Sequence, residues 1–122
     1  MAEKLLIIMM NTDPAHPVEV ATPLFQATVA ASMEYEVEII LTGRTGDLAR
    51  QSVALNTQLQ EGSSRTVYDL IKEAHEAGVA FKACASALEE NVGELIPEIG
   101  ETVGSAYLIC EAMATGTVTF TY

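Results

Sequence analysis

The chain has 122 residues, 49 % of them apolar, which gives room for one domain spanning residues 1–122 with a real hydrophobic core and argues against disorder. Seventeen acidic against six basic residues give a formal net charge of −11, which speaks against nucleic acid or an anionic membrane as partner, since both are bound through clustered Lys and Arg. The longest apolar run, Leu5–Met10, is far too short to cross a bilayer, and Met1–Lys4 lacks the basic start of a signal peptide. With only two cysteines and no export signal, a cytoplasmic location with reduced thiols is expected.

Leu5–Met10 reads as a central parallel strand covered on both faces, ended by the turn residues Asn11–Pro14. A helix is expected within Pro17–Met33, where Leu24, Ala27 and Ala31 share a face; Pro23 either starts it behind Thr22 or kinks a longer one. Tyr35–Leu41 alternates Val37, Ile39 and Leu41 with charged residues, the pattern of a second strand. Residues 44–59 predict a helix marked weakly by Leu48, Val53 and Leu55. The clearest helix follows a loop at Gln60–Ser64: Thr66-x-x-Asp69 caps it, Val67, Leu70, Ile71 and Ala74 form its stripe, and Gly78 ends it. Val79–Cys84 is a short buried strand, followed by a helix ending near Gly93. Glu101–Thr115 reads as helical, with Val103, Ala106, Tyr107 and Cys110 on one face, and Thr117–Phe120 as a β-branched last strand. The alternation of strands and helices predicts an α/β fold, a three-layer α/β/α arrangement around a largely parallel sheet. Sites in such sheets form at the carboxyl ends of the strands, here Asn11–Asp13, Gly43 with Arg44, and Cys84–Ser86.

Cys84 is the leading candidate for chemistry. It ends a strand two residues before Ser86, which opens a Ser-x-x-Glu capping box with Glu89, and helix N–H groups at that place favour a thiolate. Lys82 lies two residues earlier on the same strand face and would support the thiolate if close; Glu89, Glu90, Glu94, Glu98 and Glu101 would oppose it. Cys110 completes the helical series begun by Val103 and reads as a core residue, a second thiol only if the fold brings it near. His75 lies off its helix's apolar stripe, where solvent exposure is expected. His16, between two prolines near the end of the first strand, could polarise a substrate. The two cysteines lack the spacing of a zinc or thioredoxin-type site. The first βα turn holds no glycine, which rules out a dinucleotide fingerprint or a P-loop there. Neither a rhodanese-type loop nor a peroxiredoxin threonine surrounds Cys84.

The turn Asn11-Thr12-Asp13-Pro14, the strand Val37–Gly43, the segment Tyr68–Val79 and the unit Cys84-x-Ser86 together resemble the DsrE/DsrF-like family of sulfur-relay proteins, including its TusD-like and YchN-like branches. The resemblance implies a five-stranded parallel sheet, assembly into a trimer or hexamer, and sulfane sulfur carried as a persulfide on Cys84, between donor and acceptor proteins, with no metal or cofactor. The apolar fraction, high for so small a chain, also suggests a homo-oligomer. Ser86 could hydrogen-bond the persulfide as well as cap its helix. Glu34-Tyr35 departs from the glycine usual before the second strand, and the fifth strand is expected near Leu95–Ile96, restricted by Pro97. Two other readings remain: a flavodoxin-shaped binding or scaffold subunit, and a redox sensor using Cys84 with Cys110.

Overall fold

The structure, a computed structural model, describes residues 3–88 and 94–122. Five strands, β1 (Lys4–Met9), β2 (Glu36–Leu41), β3 (Ala80–Cys84), β4 (Ile99–Val103) and β5 (Thr117–Thr121), form one sheet in the order β4-β3-β2-β1-β5. Every pairing is parallel. Strand alternation then sorts the side chains to two faces. Ile7, Met9, Val37, Ile39, Leu41, Phe81 and Ala83 meet the apolar stripes of α1 (Pro17–Ser32) and α3 (Val67–Ala77) in the main core. Leu6, Ile8, Ile40 and Val103 meet α4 (Ser105–Met113) on the other face. The sheet thus has helices on both sides, as the α/β reading expects. No helix among the described residues is long and apolar enough to cross a membrane.

The chain steps outward from β1 to β4 and then returns across the sheet to β5, beside β1. That return is α4, whose Tyr107 reaches β2 and β3 while Glu111 reaches β1. Helix α3 begins with the expected capping box of Thr66 and Asp69 and ends at Gly78 in the left-handed region, where an L side chain would be strained. Pro17 occupies the first turn of α1 and Pro23 lies inside it, so the longer of the two expected helices is the one formed. Glu34, at the position where the family resemblance expects glycine, takes φ 69°, the left-handed conformation that glycine would occupy without strain.

Two expectations are corrected. Residues 44–59 contain a 3₁₀ segment, Gly43–Ala49, and a four-residue helix α2 (Gln51–Ala54), because glycine and threonine residues interrupt the weak apolar series. The fifth strand is Ile99–Val103, so the series through Val103 and Cys110 joins a strand residue to a helix, with Gly104 extended between them. Leu95 forms only an isolated bridge with Arg50. In β2, Glu38 is buried under α4, where it accepts from the Tyr107 hydroxyl. The helix expected to end near Gly93 and the carboxylates Glu89 and Glu90 lie outside the described residues.

Candidate functional site

Cys84 is the last residue of β3. Ala83 points into the main core, so Cys84 points to the α4 face, with 7 % of its surface exposed. Ile40 pairs with Lys82, and two residues on this register sets Thr42 beside Cys84. The chain then turns at once into a 3₁₀ turn, Ala85–Leu88, two residues before the start that a Ser86 cap would give. The Ser86 hydroxyl lies 3.2 Å from the Cys84 Sγ. It is the largest of the influences that hold the thiol below its ordinary range; burial opposes it, and the Thr42 hydroxyl and the N–H groups of Ser86 and Ala87 add to it. A carboxyl-edge thiol is therefore surrounded by donors that favour the anion.

The donors are held by packing. Gly46, in the Gly43–Ala49 segment, abuts the 3₁₀ turn so closely that a Cβ there would fall 2.6 Å from the Ala87 Cβ. The buried Thr45 hydroxyl donates to the Thr12 carbonyl at 2.6 Å, joining the loops after β1 and β2. The buried Arg50 donates through Nη2 to the Leu88 carbonyl at 3.2 Å, fixing the end of the turn. The loops after β1 and β2 thus brace the short segment that supplies the N–H donors.

Lys82 shares the face of Cys84, as expected, but its ammonium is engaged elsewhere. It donates to the Tyr107 hydroxyl, to Glu38 Oε2 at 3.4 Å and toward Glu101 at 3.3 Å, and lies 4.5 Å from the Tyr107 ring centroid. Burial pulls this ammonium toward neutrality, but the Tyr107 hydrogen bond and the Glu38 charge outweigh it, so it stays charged well above its ordinary range. Glu38 also accepts from Lys4 at 3.1 Å and from the Tyr107 hydroxyl at 2.8 Å. The lysine proposed as a thiolate supporter is one member of a buried charge network beneath α4.

His16 is exposed at the loop after β1, its Nδ1 3.4 Å from Asp13 Oδ2, with Arg44 3.7 Å from the same oxygen. The Ala15 N–H, followed by Arg44 and His16, keeps the Asp13 carboxyl below its usual range despite some burial. With β2 between β1 and β3, this group is set apart from Cys84 along the same edge. Cys110 is exposed on α4, not buried. Tyr107, Leu108, Glu111 and Ala112 face the sheet, and Cys110 lies with Ile109 and Met113 on the outward side. Both cysteines are free thiols. Four contributors were not picked out from the sequence: Thr42, Arg50, Glu38 and Tyr107. Thr42 had a usable signal, since it follows β2 at the same strand edge as Cys84; the others depend on register across the sheet.

The family model described as DsrE/DsrF-like matches residues 4–93, a stretch that contains β1 to β3 and Cys84. A search of curated proteins finds no match to this chain.

Proposed function

Taking as premise that this chain belongs to the DsrE/DsrF-like family, we propose that it carries sulfane sulfur as a persulfide on Cys84 and hands it to an acceptor protein thiol. Membership by itself carries the coarser expectation, sulfur relay with partner proteins. The observation that favours Cys84 as the carrier is its donor cradle: the Ser86 and Thr42 hydroxyls and two backbone N–H groups around a strand-end thiol. The Cys84 thiolate attacks the outer sulfur of a donor persulfide, forming a new S–S bond while the donor S–S bond breaks. The donor leaves as a thiolate with the electron pair of that bond, and the outer sulfur keeps its proton. In the second step an acceptor thiolate attacks the outer sulfur on Cys84, and Cys84 departs as thiolate. No net oxidation or reduction occurs, and the donors that favour the Cys84 anion stabilise it as attacking and as leaving group.

Self-association into a trimer or hexamer belongs to the same reading. Intact mass after treating the reduced protein with polysulfide tests the carrier role. Additions of whole sulfur atoms, absent in Cys84→Ser, are expected. Loss of two hydrogens would favour the Cys84/Cys110 sensor, and an unchanged mass the scaffold subunit. A stable monomer in light scattering at micromolar concentration would reject the self-association.

A further inference from the structure

At the opposite end of the sheet from β4, β5 is an edge strand, paired only with β1 among the described residues. Its sequence, Thr117–Thr121, contains no charge and no proline, the devices that normally block an open edge. The Tyr122 N–H goes to the Ile8 carbonyl, so by alternation the backbone N–H and C=O of Thr119 and Thr121 point away from the sheet. Beside this edge runs an open groove of about 600 Å³, floored by Leu5, Val118 and Phe120 and walled by Phe25, Val29 and Met33 of α1. Phe25, Val29, Met33 and Phe120 are all exposed. A free strand edge and an apolar trough thus lie side by side.

Charge selects the occupant. The one cation on the groove wall among the described residues, Lys4, directs its Nζ to Glu38 and Glu111 and is neutralised there. Glu3 and Glu34, both exposed, adjoin the groove residues Lys4, Met33 and Tyr35 along the chain. The segments flanking the groove thus carry exposed carboxylates, in a chain of net charge −11. A second copy would bring the same carboxylates to the contact, whereas a segment with basic flanks would offset them.

We propose that β5 and this groove form a docking site for an extended segment of a partner protein, apolar at alternate positions and flanked by Lys or Arg. The segment adds to the sheet as a sixth strand. It hydrogen-bonds to Thr119 and Thr121, sets alternate apolar side chains against Phe25, Val29 and Phe120, and places its basic ends by Glu3 and Glu34. The site is three strands from β3, so an occupied groove leaves the Cys84 edge open.

Fluorescence anisotropy with a short labelled peptide, alternating valine and threonine between paired lysines, tests this directly. Wild type should bind it at least about tenfold more tightly than the same peptide with glutamates for lysines, and the gap should shrink with salt. Thr119→Pro, which removes an outward N–H at an edge where proline is tolerated, and Phe25→Gln, on the exposed side of α1, should each weaken binding with circular dichroism unchanged. Equal affinity for both peptides, no binding at millimolar peptide, or binding unaffected by either variant would overturn the proposal. So would wild type self-associating through this face, seen as a lower mass for Thr119→Pro in light scattering.

Discussion

The two faces of this sheet are closed by different physics. Under α1 and α3, residues such as Ile39, Phe81 and Leu24 are almost fully buried. Under α4 the apolar cluster is small, and the helix is held as much by Glu38, Lys4, Lys82, Tyr107 and Glu111 as by Leu6, Ile8 and Ile40. An apolar seal is non-directional and depends on volume, whereas a charge network specifies register and fails abruptly when one member is lost. The short helix α4 crosses several strands with no fully buried residue of its own, so its placement depends on directional contacts.

Truncating the seal should have the largest effect. Phe81→Ala removes a fully buried ring and should lower unfolding stability by about 3–5 kcal/mol in urea titration. Glu38→Ala should cost about as much, on the order of 3 kcal/mol or more, because Lys4 and Lys82 lose their shared buried partner. The double variant Glu38→Leu with Lys82→Met separates the two kinds of closure. Recovery of much of that loss would show that the network chiefly orients α4; no recovery would make it a net stabiliser comparable to the seal.

The network also sets a pH signature that the seal lacks. Lys82 and Lys4 are raised above their ordinary values in the folded chain. Their contribution is therefore complete below the unfolded lysine value, about 10.4, and is lost as pH rises through the folded values. Glu111 is lowered by its hydrogen bond with Lys4, so its smaller contribution is present above the unfolded carboxyl value, about 4.3, and fades as pH falls through the folded one. Thermal stability should hold from pH 8 to about 10.4 and decline from there to pH 11.5, and the Glu38→Leu, Lys82→Met double variant should flatten that decline. An equally steep decline would mean that other groups titrate.

Smaller effects separate the two cysteines. The alkylation profile of Cys84 should be centred below about 8.5, the free-thiol value, and Thr42→Val should move it upward without unfolding the chain. A profile unmoved by Thr42→Val would remove that hydroxyl from the cradle. Cys110, exposed, should be alkylated readily, and Cys110→Ser should change stability by no more than about 0.5 kcal/mol. A larger loss would mean that the outward side of α4 is covered in solution.

The seal was legible in the sequence and the charge network was not. Continuous apolar runs and a capped amphipathic helix announce β1 and α3 through local periodicity alone. Glu38 sits in an alternating strand, where a carboxylate ordinarily marks the wet face; only the register that brings Lys4, Lys82 and Tyr107 to it reveals the burial. Cys110 was misread because its helical spacing was counted from Val103, which belongs to β4. Cys84 was placed correctly at a strand end from the sequence, yet its second hydroxyl comes from Thr42, just past the neighbouring β2, and only the shared strand edge pointed to it.

The contact between Gly46 and Ala87 gives the thiol's acidity an unexpected owner. Gly46 carries no functional group and belongs to a segment that touches no sulfur chemistry, yet it allows the 3₁₀ turn after Cys84 to settle where its N–H groups meet the thiol. A single methyl at Gly46 would lift that turn and take the donors with it. The reactivity of this chain can thus drift through a change that leaves every polar atom around Cys84 in the sequence, a route by which close relatives could share all the visible chemistry and differ in rate.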